Sequence, residues 1–167
     1  MSHPPVGELL PDITLTSVTG QRIRLSDYRG RRALILLFLG RERDATAVAL
    51  LSALAERYAE FLQEEAEVLA IIPGPHEAVA TIARAHSWPF PILVDEDERA
   101  HRKYGAAARG ILYIADRYGE IVFISPIAEE HVPLSVESLL SWIRFTEAQC
   151  PECGVAEWPA SLSALRG

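Results

Sequence analysis

The stretch that decides the fold is Ala33-Leu34-Ile35-Leu36-Leu37-Phe38-Leu39, in which every residue is apolar. A strand with one covered face alternates apolar and polar side chains, and this run does not alternate. An uninterrupted apolar run is typical of an interior strand whose sheet is covered by helices on both sides. The run is also much shorter than the roughly 20 residues that a membrane-spanning helix needs. We therefore expect a buried central strand over residues 33–39.

The segments on either side of this strand predict an ordered series of helices and strands. Apolar residues recur at intervals of three and four where we expect helices, and short apolar or alternating runs mark the strands. The predicted elements are a hairpin over 12–16 and 22–25, a helix over 45–62, a strand over 68–72, a helix over 76–87, a strand over 91–94, a short helix over 95–104, a hairpin over 111–115 and 120–125, and a helix over 133–147. This order predicts an α/β domain whose mixed sheet has helices on both faces.

The composition narrows the classes of function. A chain of 167 residues with 49% hydrophobic residues can form one domain with a sizeable core. The net charge of −7 argues against a nucleic-acid partner and against an anionic membrane surface. Residues 1–7 lack the basic and apolar regions of a signal peptide, and the chain has only two cysteines. We therefore expect a cytoplasmic protein.

Several short stretches, taken in order, carry a resemblance to a known family. They are residues 6–12 (VGELLPD), Gly20 with 25–30 (LSDYRG), the apolar run 33–39, 89–95 (PFPILVD), 97–105 and 113–119 (YIADRYG). Together they resemble the alkyl hydroperoxide reductase/thiol-specific antioxidant family, the redoxins that form the peroxiredoxin branch of the thioredoxin fold. The resemblance implies a thioredoxin-like, peroxiredoxin-type α/β sheet over residues 1–149, followed by a C-terminal tail over 150–167. It also implies redox chemistry at cysteine.

The chain departs from the family where the nucleophilic cysteine is expected. In the family this cysteine follows the long apolar strand, in the first turn of a helix, where the positive end of the helix dipole favours a thiolate. Residues 40–47 of this chain read GRERDATA and contain no sulfur. Asp44 falls nearest the cysteine position, and its carboxylate can accept the same N–H groups but cannot reduce a peroxide. The usual peroxidase mechanism is therefore excluded.

Other residues of the degenerate family site carry charge. Arg41 and Arg43 stand with Asp44 after the central strand, at an edge of the sheet where α/β proteins bind ligands. They could hold a small anion or an acidic group, or they could form a solvated turn with weak ion pairs. The resemblance places Gly110 where many thioredoxin-like proteins have a cis-proline. After a one-residue shift, Arg109 matches the family's arginine that holds the thiolate and the peroxide.

Cys150 and Cys153 form the strongest chemical motif, CPECG, and three interpretations stay open. Two thiols at this spacing can close a small disulfide as a catalytic redox pair, recycled by an external thiol reductant. Alternatively, two chains could share a four-cysteine zinc site across a homodimer, because structural zinc needs four ligands. Otherwise the two cysteines are structural. We expect no cofactor, zinc being the alternative.

The electrostatics around the CPECG motif could either raise or lower the pKa of its thiols. The motif follows the C-terminal end of a predicted helix, and Glu152 adds a negative charge; both effects raise a thiol pKa. If Pro151 starts a new helix, Cys150 becomes its N-cap residue and the dipole effect reverses. Two functions therefore remain: a thiol-dependent oxidoreductase that uses Cys150 and Cys153, or a catalytically degenerate redoxin that acts as a binding or dimer-assembly module.

Two further groups of residues have structural interpretations. The acidic run 95–98 stands at the start of a short predicted helix, where negative charge is favourable, so we expect it to cap that helix rather than bind a cation. Trp142, Phe145 and Trp158 are candidates for an aromatic patch that pins the tail or joins two subunits.

The missing sulfur at position 44 gives a first testable prediction. Wild type and Asp44→Ala should consume hydrogen peroxide equally slowly in a peroxide-consumption assay, because neither side chain is a nucleophile for peroxide. Asp44→Cys should instead gain activity, since the start of the helix favours an anion. A large loss of activity in Asp44→Ala would show that this position has been misinterpreted.

Overall fold

The computed structural model describes residues 3–41, 45–106, 109–127 and 134–148, and its strands form a seven-stranded mixed sheet. The strands are β1 (Thr14–Ser17), β2 (Arg22–Arg24), β3 (Ala33–Phe38), β4 (Ala66–Pro73), β5 (Ile92–Asp95), β6 (Ile111–Ala115) and β7 (Ile121–Pro126). The helices are α1 (Ala45–Glu56), α2 (Tyr58–Gln63), α3 (His76–His86), α4 (Arg99–Lys103) and α5 (Val136–Ala148). A 3-10 turn covers Leu25–Tyr28. Within this described part of the chain, none of the helices is both long and apolar enough to cross a bilayer.

The sheet has the order β2-β1-β5-β4-β3-β6-β7. Strands β3 and β4 are parallel, as are β4 and β5, and the remaining neighbours are antiparallel. The carboxyl ends of β3, β4 and β5 therefore lie at the same edge of the sheet. The predicted α/β class with a mixed sheet is confirmed.

Strand β3 lies inside the sheet and is buried on both faces. Ile35 and Leu37 point into a core that α1, α2, α3 and α5 cover. Leu34, Leu36 and Phe38 point into a second core, which α4, the 3-10 turn and residues near Leu10 cover. Each residue of β3 is at most 3% exposed. The uninterrupted apolar run therefore gave the correct position for this strand.

The predicted helix over 45–62 is wrong in one respect, because the chain breaks at Arg57 into α1 and α2. Arg57 has φ −118° and ψ 19°, and its N–H donates to the Leu54 carbonyl three residues earlier. The Arg57 guanidinium pairs with Glu60, at 2.8 Å from Nη2 to Oε1, and also with Glu137 at the start of α5. The apolar spacing does not reveal this break, because Tyr58 and Phe61 still face the core.

The double burial of β3 predicts that residues on both of its faces are equally important for stability. Leu36→Ala and Leu37→Ala should each lower the free energy of unfolding by about 2–5 kcal/mol, because each leaves a cavity in a closely packed core. Urea unfolding at pH 7 measures the change. Leu9, at 56% exposed, supplies the control, and Leu9→Ala should change stability by no more than about 0.5 kcal/mol. A change below about 1 kcal/mol for either β3 variant would contradict the two-sided core.

Candidate functional site

The candidate site lies at the edge of the sheet where β3, β4 and β5 end. Ligands of α/β sheets bind beyond the carboxyl ends of parallel strands, and the family's nucleophile is expected directly after β3. The chain continues from β3 through Leu39 and Gly40, both buried, to the exposed Arg41. Two residues of the segment that follows β5, Glu98 and His101, contact Arg41 and Leu39 there.

Arg41 forms a bidentate ion pair with Glu98, which follows β5. Its Nε donates to Glu98 Oε1 at 2.7 Å, and its Nη2 donates to the other carboxylate oxygen. The hydrogen bonds from Arg41 hold the pKa of the Glu98 carboxyl below its ordinary value. The Arg41 side chain is 65% exposed, so solvent screens the pair and its contribution to stability is small. Its main effect is local. Because Glu98 already neutralises the Arg41 guanidinium, the positive charge that would attract an anion is compensated from within the chain.

A buried pair, Asp95 and His101, lies behind this surface ion pair. His101 is 1% exposed and Asp95 is fully buried. His101 Nδ1 lies 2.6 Å from Asp95 Oδ2, and His101 Nε2 lies 2.8 Å from the carbonyl oxygen of Leu39. The ring also packs edge-on against Phe38, with centroids 5.2 Å apart. One side chain thus connects the end of β3 to the end of β5.

The partners of the His101 ring determine where its hydrogens are. A carbonyl oxygen can only accept a hydrogen bond, so Nε2 must carry a hydrogen toward Leu39. An ionised Asp95 carboxylate is also only an acceptor, so Nδ1 must carry a hydrogen as well. The ring and the carboxylate then form a buried ion pair in which each hydrogen has an acceptor. Neither ring nitrogen is available to a metal or to a substrate.

Asp95 also holds the start of α4. Its carboxylate accepts the backbone N–H of His101 at 2.8 Å and that of Ala100 at 3.3 Å. Burial of the carboxyl raises its pKa, but the hydrogen bonds from the His101 ring and from these two N–H groups outweigh burial, so the pKa of Asp95 lies below its ordinary value. The expectation that the acidic run caps the short helix is therefore confirmed for Asp95. The predicted helix begins later than expected, at Arg99.

Gly110 faces β3 where the resemblance places a cis-proline. A Cβ at position 110 would lie 3.1 Å from the carbonyl oxygen of Phe38 and 3.1 Å from Cδ1 of Ile127. The backbone therefore approaches β3 too closely for a larger residue to fit without movement. Among the described residues the structure has no cis peptide bond, and Arg109 next to this glycine is exposed.

Several of the sequence-predicted site residues lie outside the described residues: Arg43, Asp44, Cys150 and Cys153. Within the described ranges, no group of three or more His, Cys, Asp or Glu side chains could hold a metal ion. Sequence reasoning missed His101 and Glu98 as members of this site. Their partners are distant in the sequence, since Leu39 and Arg41 precede them by more than 50 residues.

The buried pair predicts a pH dependence of stability. At pH 5, Asp95→Asn should lower the free energy of unfolding by about 3 kcal/mol, because it leaves His101 without its counter-charge. A carboxyl whose folded-state pKa is depressed stabilises the fold above its unfolded pKa of 3.8 and loses that effect as the pH falls toward the folded pKa. Through this carboxyl the wild type should therefore lose up to about 1.4 kcal/mol of stability per pH unit below 3.8.

Urea unfolding between pH 5 and pH 2.5 measures the free energy of unfolding of the wild type and of Asp95→Asn. The exposed neighbour Glu96 supplies the control, and Glu96→Gln should behave like wild type throughout. A gap between wild type and Asp95→Asn of less than about 1 kcal/mol at pH 5 would show that Asp95 is not held as a carboxylate by its partners.

Known proteins share both the sequence pattern and the fold of this chain. Thiol-disulfide oxidoreductase ResA from Geobacillus kaustophilus is 28% identical over 142 residues, which cover 80% of this chain and 78% of that protein. Alkyl hydroperoxide reductase E from Mycobacterium tuberculosis is 28% identical over 146 residues, which cover 82% and 92% respectively. These relatives are a thiol-disulfide oxidoreductase and a hydroperoxide reductase by name.

A solved structure and a family model extend the comparison. The crystal structure of peroxidoxin BcpB from Mycobacterium tuberculosis superposes with a TM-score of 0.73 at 17% identity, covering 85% of this chain and 97% of that one. This likeness confirms the thioredoxin-like, peroxiredoxin-type fold. Residues 6–124 match the model of the AhpC/TSA family. The chain, although it has no cysteine before position 150, therefore belongs to the AhpC/TSA family of redoxins.

Proposed function

We propose that this protein is a thiol-disulfide oxidoreductase whose redox pair is Cys150 and Cys153 rather than a residue after β3. The observation that carries the proposal is that a chain of a redox family has no cysteine in residues 1–149 but has two at C-x-x-C spacing just after α5. The partners would be a disulfide substrate and an external thiol reductant. We place this activity in the cytoplasm, where such reductants keep cysteines reduced.

The end of α5 lies at the edge of the sheet opposite the family's usual site. Glu147 in its last turn pairs with Arg117, at 3.0 Å, and Arg117 also pairs with Glu65 at 2.6 Å. The carbonyl of Glu65 accepts the N–H of Ala33, the first residue of β3. The family's site follows the last residue of this strand, about 20 Å away at about 3.3 Å per residue. Cys150 follows Ala148 by two residues, which span at most about 7 Å. The covalent connection thus supports a redox pair that works independently of the site after β3.

The reaction would be two consecutive thiol-disulfide exchanges. The thiolate of one cysteine attacks a sulfur of the substrate disulfide, forms a mixed disulfide and releases one substrate thiolate, which takes up a proton. The second cysteine then attacks the mixed disulfide and releases the other substrate thiol. The substrate gains two electrons, and the protein is left with a Cys150–Cys153 disulfide. An external dithiol reduces that disulfide by the same two steps.

The proposal predicts that each cysteine is essential for turnover but not for folding. Cys150→Ser and Cys153→Ser should each lower the rate of insulin-disulfide reduction with dithiothreitol by about 100-fold or more, because exchange needs both thiols. The melting temperature should change by no more than about 2 °C, since both described cores form without these residues. Asp44→Ala is the control and should keep the wild-type rate. A double Cys→Ser variant with the wild-type rate, or a wild type without turnover, would overturn the proposal.

A second candidate function is a non-catalytic redoxin that acts as a binding or dimer-assembly module, with tail cysteines that are structural or bind zinc. The observation that favours it is that the family's site is occupied by internal partners: Arg41 binds Glu98, and His101 binds Asp95 and the Leu39 carbonyl. Metal analysis of the purified full chain separates the possibilities. About half a zinc per chain, lost in the double Cys→Ser variant together with the dimer, supports the shared zinc site. No zinc and no turnover supports structural cysteines.

A further inference from the structure

We propose that the outer edge of β2 binds an extended acidic segment of a partner protein, which adds to the sheet as an antiparallel strand. This interaction surface does not depend on the proposed redox activity. It follows from the backbone groups that β2 directs away from the sheet, from the charge of the side chains beside them, and from the poor fit of a second copy of the protein.

The two edges of the sheet differ in how far their backbone is paired. At one edge, residues 7–10 cover the start of β7: the N–H of Gly7 donates to the Ile121 carbonyl at 2.8 Å, and the N–H of Ile121 donates to the Glu8 carbonyl at 2.8 Å. At the other edge, β2 is the last strand of the sheet, and among the described strands it pairs with β1 alone. The outer side of β2 is therefore an edge to which another strand can add.

The register with β1 determines which backbone groups of β2 point outward. The N–H of Leu25 donates to the Ile13 carbonyl at 3.1 Å. Hydrogen-bonded positions alternate along an antiparallel pair, so Ile23 also directs its backbone groups toward β1, whereas Arg22 and Arg24 direct theirs away from the sheet. The Arg24 carbonyl begins the 3-10 turn. The N–H and C=O of Arg22 and the N–H of Arg24 are left to bond with another strand.

The side chains of Arg22 and Arg24 make this edge positive. Both are exposed, and they lie on the same face of the strand because side chains two residues apart share a face. Within the part of the chain that the structure describes, neither side chain has an ion pair or a hydrogen bond. By contrast, Arg41, Arg57 and Arg144 each pair with a glutamate. The edge of β2 thus has two positive charges that carboxylates of a partner can bind.

An antiparallel partner strand would meet these groups in a fixed pattern. A partner residue opposite Arg22 would exchange two hydrogen bonds with it, and the residue two positions away would accept the N–H of Arg24. Both partner side chains would lie on the arginine face, where Glu or Asp forms favourable cross-strand pairs. An apolar residue between them would lie beside Ile23, which packs in the second core. A segment that alternates acidic and apolar residues meets each of these requirements.

A second copy of the protein fits this edge poorly. Two antiparallel β2 strands centred on Ile23 would place the Arg22 of each copy opposite the Arg24 of the other, and like charges directly opposite each other are destabilising. Charged side chains on an edge strand also discourage uncharged strands from adding to it. Charge complementarity therefore favours an acidic partner.

Binding of a synthetic peptide to the full-length protein tests the proposal. The probe is the fluorescein-labelled peptide TVEVEVT, and fluorescence anisotropy at low salt measures its affinity. Wild type should bind it about tenfold more tightly than the lysine counterpart TVKVKVT, and the double variant Arg22→Ser, Arg24→Ser should bind it about tenfold more weakly, because both cross-strand charge pairs are lost. The control is Arg31→Ser, which should bind like wild type because Arg31 is exposed and lies outside β2.

Peptides with methylated backbone nitrogens separate strand addition from charge attraction alone. Methylation at the two glutamates removes the N–H that would donate to the Arg22 carbonyl, whereas methylation at the valines alters groups that face away from β2. The first peptide should bind about tenfold more weakly than TVEVEVT, and the second should bind like it.

Three results would overturn the proposal: no detectable binding of TVEVEVT, unchanged binding by the double arginine variant, or equal binding of the two methylated peptides. A dimer in sedimentation equilibrium that the peptide dissociates would assign the edge to a second copy and would also overturn it.

Discussion

The structure depends on the burial of β3 on both faces. Its residues supply apolar side chains to two separate cores, and its backbone pairs with β4 on one side and β6 on the other. Because no water reaches the strand, every polar group at its end needs a protein partner. The carbonyl of Leu39, directly after the strand, meets this requirement through His101. The buried ion pair is thus a consequence of how deeply the strand is placed.

This arrangement separates the fold of the family from its usual chemistry. A redoxin places its nucleophile after the central strand because the sheet edge and the next helix together stabilise an anion there. In this chain the same edge is held together by Asp95, His101, Arg41 and Glu98, which satisfy one another. The sheet keeps its geometry without a thiol, since none of its core contacts involves one. Redox chemistry, if it is to use cysteine, must then be located elsewhere on the molecule.

The sequence predicts those parts of the fold whose signal is local. The apolar run 33–39 and the hairpin over 111–125 were found because their residue patterns depend only on which faces are covered. The break at Arg57 was not found, because the apolar spacing continues across it, with Tyr58 and Phe61 still packed on the core. The candidate site was not predicted in full, because no spacing rule connects Leu39 with His101. Only the folded sheet brings the ends of β3 and β5 together. Arg41 was recognised from the sequence as a charged residue of the site, but its partner Glu98 was not.

Losing Asp95 and losing His101 would have different effects on the buried pair. Asp95 without His101 would still bind two backbone N–H groups at the start of α4, so a chain with aspartate alone keeps a useful cap. His101 without Asp95 would leave a buried ring beside a carbonyl with no counter-charge, which is costly. Loss of the aspartate should therefore cost the fold more than loss of the histidine.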